Sequence, residues 1–110
     1  MEEKKDVLDD LTQNICDIFG DSLIKIILYG SYARGDYNSH SDIDLMILTN
    51  LSDDEIVAIE DKVIDAAFEC ELNQKIPVSI NIKNIEHFQY WENVLPYYRN
   101  ISREGVVLAG

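Results

Sequence analysis

Between Ser41 and Leu48 the chain reads SDIDLMIL. An aliphatic run entered through two aspartates limits the possible folds, because successive side chains of a strand point to opposite faces. Asp42, Asp44 and Met46 share one face, and Ile43, Leu45 and Ile47 share the other. The apolar set faces a core, which leaves two carboxylates side by side. Their mutual repulsion disfavours ionisation unless a cation or other positive group lies between them. Oxygen donors at this spacing suit a hard divalent metal. Magnesium commonly takes one or two protein carboxylates and completes its shell with phosphate oxygens and water.

Around this strand the chain alternates helical and extended patterns, with no linker, repeat or low-complexity segment. Val7, Leu8, Leu11, Ile15, Ile18 and Phe19 recur at helical spacing and stop at Gly20. Leu23 to Tyr29 (LIKIILY) reads as a strand, and Asp42 to Leu48 as a second. Ser52 and Glu55 form a capping box that opens a helix from Asp53 to about Cys70, with Ile56, Ile59, Val63, Ala66 and Ala67 on its inner face. Ile76 to Ile82 is a third strand, in which Pro77 marks an edge or a strand start. A further helix from Ile85 to Leu95 closes at Pro96, and Gly105 to Ala109 can add a last short strand. With 110 residues the chain makes one domain, 1–110, and the element order predicts an α/β or α+β sheet with helices packed on it.

The formal net charge of −12 argues against direct nucleic-acid binding, which rests on Lys and Arg neutralising phosphates. It fits either simple solubility or a basic protein partner. Homodimerisation is a further option. The longest apolar stretch is far short of a membrane span, and the first residues, MEEKK, lack a signal-peptide core, so a cytoplasmic location is expected. Cys16 and Cys70 lie in apolar helical patterns without metal-ligand spacing and read as reduced thiols.

The turn before the aspartates supplies the other half of a site. Gly30 lets the backbone approach a ligand closely, and Ser31 offers a hydroxyl and an amide. A short helix opening at Ser31 would turn its unpaired N–H groups toward the space facing Asp42 and Asp44, where phosphate oxygens can bind. Arg34 either clamps that phosphate or ties down its own loop through carbonyls or Asp36. Tyr32, Tyr37, Asn38 and His40 lie in the connection, where ligand contact and solvation are both open. His87 reads as a helix-surface residue. Phe88, Trp91 and Leu95 form an apolar stripe for the core or a partner, and Tyr97 and Tyr98 read as packing residues.

Gly30-Ser31-Tyr32-Ala33-Arg34-Gly35 followed by Ser41-Asp42-Ile43-Asp44-Leu45 resembles the signature of the polymerase-β-type nucleotidyltransferases, in particular the minimal nucleotidyltransferases of bacteria and archaea. The motif pair covers about a sixth of the chain, while element order and length agree throughout. The resemblance implies a small mixed sheet flanked by helices. It also implies triphosphate contacts from Gly30 and Ser31, with magnesium held by the catalytic pair Asp42 and Asp44; Arg34 and Ser41 are further candidates for nucleotide binding. Proteins of this kind include antitoxins paired with helical HEPN ribonuclease toxins, some of which transfer AMP from ATP to a toxin tyrosine. The tail from Leu95 to Gly110 also resembles a subset of these small proteins.

One departure stands out. The family's third carboxylate comes from a neighbouring strand, and in Ile76 to Ile82 the corresponding face carries Ser79 and Asn81, neither an acid. Either can offer a neutral ligand, and neither can serve as a general base near neutral pH. Glu69 and Glu71 are substitutes only if they are not solvated helix-end residues. Two functions follow: a magnesium- and ATP-dependent transferase acting on a protein hydroxyl, or a non-catalytic nucleotide-binding antitoxin or regulatory module.

Overall fold

The computed structural model describes residues 2–110, with side chains from Leu8 onward. The N-terminal amphipathic pattern forms α1 (Glu2–Phe19), and Gly20, at φ 57°, opens the 3-10 turn that leads into β1 (Leu23–Tyr29). After the short α2 (Ser31–Arg34) come β2 (Ile43–Thr49), α3 (Asp53–Gln74) and β3 (Val78–Asn84). The chain ends with α4 (Ile85–Val94), α5 (Pro96–Glu104) and β4 (Val106–Ala109).

The four strands form one mixed sheet in the order β3-β2-β1-β4. β1 runs antiparallel to both β2 and β4, whereas β2 and β3 are parallel. Parallel neighbours need a crossover element, and α3 supplies it. Its start is the expected capping box: the Ser52 Oγ accepts from the Glu55 amide at 3.3 Å, while the Ser52 amide donates to the Glu55 carboxylate at 3.0 Å. α3 extends to Gln74, past the expected end near Cys70, and stops where Lys75 adopts a left-handed conformation. Pro77 sits just before β3, where its carbonyl accepts from the Ile43 amide and its missing N–H interrupts no ladder.

The sheet has a core on each face. Leu11, Ile15 and Phe19 of α1 and Val63 of α3 pack against Ile26, Leu28, Ile43, Leu45 and Ile47. On the other face, Ile27, Met46 and Leu48 pack against Phe88 of α4 and Ile101 of α5. Met46 does share a face with Asp44, but that face is covered over most of its length. The aspartates remain accessible because they lie at the uncovered end of β2. Each fully buried aliphatic side chain contributes about 1.5–3 kcal/mol, so two opposed cores let a small sheet hold its shape.

The α5 helix departs from expectation, since the sequence pattern has Pro96 only closing a helix. Proline also suits the first position of a helix, where its N–H would have no partner, and here it starts α5 directly after α4. The expected stripe divides as well: Phe88 is buried, while Trp91 and Leu95 stay substantially exposed. Cys16 and Cys70 are unpaired thiols beside the α1/α3 core, and burial pushes the Cys70 thiol up. Among the described residues, no helix is long and apolar enough to cross a membrane.

Candidate functional site

β1 and β2 carry the site at the end where they diverge. Tyr29 pairs with Asp44 across the antiparallel ladder, so the two side chains share a face. Gly30 follows with φ 78° and ψ −155°, a backbone conformation that is essentially glycine's alone. A Cβ at Gly30 would overlap the Asp44 carboxylate, so the turn is pressed directly against that acid. The Gly30 carbonyl accepts from the amides of Ala33 and Arg34, each at 3.1 Å, and thereby starts α2. Gly35, at φ 83°, ends it after a single turn. No side chain caps the start of α2, so the Gly30-Ser31 backbone lies beside the aspartates without a competing cap.

The two carboxylates differ in setting. Asp42 is exposed, one residue ahead of β2, whereas Asp44 is half-buried on its first turn of pleat. Burial, then repulsion from Asp42, pushes the Asp44 carboxyl above its ordinary range, while the Arg34 guanidinium pulls it back. A pair in this state is suited to a hard cation, because cation binding relieves the repulsion. Asp42 and Asp44 would hold such a cation, leaving its other ligand positions to water or phosphate. Among the described residues there is no group of three His, Cys, Asp or Glu side chains placed to hold a metal ion.

The face where a third acid would stand is neutral. Ser79 lies beside Asp44 in the parallel register and Asn81 beside Met46. The Asn81 amide donates to the Tyr29 hydroxyl at 2.8 Å, and the Tyr29 and Tyr97 hydroxyls are 3.2 Å apart. Burial, together with Tyr97, holds the Tyr29 phenol well above its usual range, so Tyr29 is a neutral hydrogen-bonding group here. Glu71 is occupied elsewhere, its carboxylate accepting from the Val78 amide at 2.7 Å. Glu69 lines a cavity between α1 and α3, on the opposite face of the sheet from Asp44.

Arg34 pairs with Asp36 at 3.2 Å, both side chains being exposed. The loop-tying role is therefore the one seen here, and the pairing holds the guanidinium near Asp44. Ser41 closes the turn before β2: its hydroxyl accepts from the Asn38 amide at 2.9 Å, and its amide donates to the Asn38 carbonyl. Tyr32 and Tyr37 stack with centroids 4.5 Å apart, which stiffens the connection between the two motif halves. His40 is exposed within that connection, and His87 faces Asp53 on the surface at 3.6 Å.

A family profile described as "Nucleotidyltransferase domain" matches residues 8–108. The chain belongs to this nucleotidyltransferase family. Within it, the chain is 34% identical over 84 residues to "Putative protein adenylyltransferase MJ0604" of Methanocaldococcus jannaschii, a match that spans 76% of each protein. Two further proteins of that organism, similarly named MJ1305 and MJ0141, are 48% and 44% identical over 50 and 43 residues, covering 34% and 43% of their lengths. In three dimensions the nucleotidyltransferase resembles a solved toxin–antitoxin structure with AMP-PNP, with a TM-score of 0.58 over 93% of this chain and 73% of that one. At 17% identity that likeness speaks for the fold, the small mixed sheet flanked by helices.

Tyr29 and Tyr97 are the site residues that sequence reasoning missed. Tyr29 could have been found, because strand alternation and antiparallel pairing put the last residue of β1 on the Asp44 face. Tyr97 could not, because its approach to Tyr29 depends on how α5 packs against β1.

Proposed function

We propose that this minimal nucleotidyltransferase transfers a nucleoside monophosphate, AMP from ATP, to a hydroxyl of a partner protein in a magnesium-dependent reaction. The observation that carries the reading is the Asp44 carboxylate pressed against the Gly30-Ser31 turn, with Asp42 two residues before it. A phosphate-accepting backbone and a cation-accepting acid pair then serve one ligand, a nucleoside triphosphate with its metal. The names of the relatives as adenylyltransferases support AMP as the group transferred and a protein as acceptor.

In the proposed reaction an acceptor hydroxyl oxygen bonds to the α-phosphorus, and the bond from that phosphorus to the α,β-bridging oxygen breaks, releasing pyrophosphate. The hydroxyl proton passes to a carboxylate of the pair or to solvent. Asp42 and Asp44 hold the divalent cation, which when bound neutralises charge on the phosphates. Gly30 and Ser31 fix the triphosphate, Arg34 adds positive charge beside Asp44, and Ser41 holds the turn that presents Asp42. Positioning accounts for most of such a rate enhancement, so a small domain is sufficient. In this reading the acceptor is a HEPN-like toxin, the protein is its antitoxin, and the pair works in the cytoplasm.

The neutral Ser79/Asn81 face favours a second reading, a nucleotide-binding antitoxin or regulatory module that no longer turns over. Label transfer separates the two. The protein is incubated with α-labelled ATP, magnesium and a lysate of its source, beside an Asp42→Asn/Asp44→Asn control. Label on a protein only with both aspartates intact supports transfer. Magnesium-dependent ATP binding without label supports the module.

A further inference from the structure

α3 carries an apolar ridge that the fold does not use. Its inner side, Ile56, Val63 and Ala67, is buried, whereas Ile64, Phe68 and Leu72 on its outer side are 52%, 57% and 63% exposed. Their spacing of four aligns them in a single i±4 row, the kind of ridge that packs into the groove of another helix. The row borders the edge strand β3. Ile64, Ala67 and Phe68 share a shallow cleft of about 160 Å³ with Val78 and Ile80, and a second cleft of about 320 Å³ continues along Ile80 and Ile82. Exposed apolar surface that is contiguous in this way marks an interaction site rather than scattered surface residues.

Charge selects the occupant. α3 contains eight acidic residues and one lysine. Glu60 and Glu71 border the clefts, with Lys83 of β3 the one basic residue lining them, and helical geometry puts Asp61 and Asp65 on the other flank of the ridge. A second copy of this chain would bring acidic rim against acidic rim, with a net charge of −12 on each molecule. A helix with an apolar stripe flanked by Lys or Arg matches both the ridge and its rim.

We propose that the α3 ridge and its cleft along β3 form a docking surface for a basic amphipathic helix of a partner protein. The α3 ridge lies on the sheet face opposite Asp44, and only the second cleft reaches toward the nucleotide site, at Asn81 on the β3 edge.

The test uses three labelled 18-residue peptides: an amphipathic Leu/Lys helix, its Leu/Glu counterpart, and a Ser/Lys peptide without an apolar face. Fluorescence anisotropy follows binding to the whole protein and to two surface double variants, Phe68→Ser/Leu72→Ser on α3 and Tyr90→Ser/Val94→Ser on α4. The Leu/Lys peptide is expected to bind and the other two are not. The α3 variant should weaken binding at least tenfold, and the α4 variant less than twofold. The proposal is overturned if the Leu/Lys peptide does not bind, if Ser/Lys binds equally well, or if the α3 variant binds as the parent does. Sedimentation showing a dimer that Phe68→Ser/Leu72→Ser dissolves would also overturn it, by assigning the surface to a second copy.

Discussion

The Asp44 carboxylate rests against the α-carbon of Gly30, in space that any side chain at position 30 would fill. Glycine is thus required twice, by contact and by its positive φ. Replacing it with Ala forces the turn away from β2 and costs about 1–3 kcal/mol in backbone strain alone. The Gly30→Ala protein is expected to melt roughly 5 °C or more below the parent and to lose ATP binding. Calorimetry and nucleotide titration check the two parts separately.

Asp44 is held in the fold at a cost, and its removal should show it. Because its folded carboxyl sits above the ordinary value of 3.8, the native state keeps that proton longer than the unfolded chain does. Its contribution to stability is therefore fully present below 3.8 and is lost as pH rises through the folded value. Asp44→Asn escapes this loss. The variant should be the more stable protein at pH 7 without divalent cation, by a margin that widens upward from low pH and then levels. Urea midpoints across pH 3 to 7 measure it, and adding magnesium should narrow the margin by stabilising the parent.

Asn81 stands where an acid would most change the chemistry. Its amide reaches the Tyr29 hydroxyl on the face that Asp44 shares. Asn81→Asp keeps the shape and can accept a hydrogen bond from Tyr29, while adding a third negative charge for a cation and a potential proton acceptor. General-base assistance contributes roughly 100- to 10,000-fold in favourable cases. An increase in label transfer of about tenfold or more is expected, with tighter magnesium binding. An unchanged rate would mean that proton removal is not what limits the reaction.

The capping box at the start of α3 offers a control away from the site. Ser52→Ala removes the oxygen that accepts from the Glu55 amide and should cost about 1 kcal/mol. The hydrogen bonds from Ser52 also lower the Glu55 carboxyl, so the stability it contributes is present above 4.5 and is lost as pH falls through the folded value. Ser52→Ala should melt several degrees lower at pH 7, and because the Ser52 backbone amide that chiefly lowers the Glu55 carboxyl survives the substitution, most of the deficit should persist at pH 3. ATP binding should not change.

What could be read along the chain was local in origin. Helix starts, the two aspartates on one strand face, the glycine turn and the Ser52 cap all depend on residues a few positions apart, where periodicity and capping chemistry operate. The α5 helix was missed because proline ends one helix and begins another equally well, and only packing of Ile101 against Ile27 and Met46 decides. That same packing turned the aspartate face of β2 into a second core and left its end as the site. The groups around Asp44 likewise come from distant segments: Gly30 from β1's end lies against it, and its cross-strand neighbour Tyr29 is held by Asn81 of β3 and Tyr97 of α5. The chain order therefore specified which residues carry the chemistry, because local rules determine strand faces and turns. The aromatic network beside the neutral third position was decided by the tertiary fold, because strand pairing and helix docking join residues that no local rule connects.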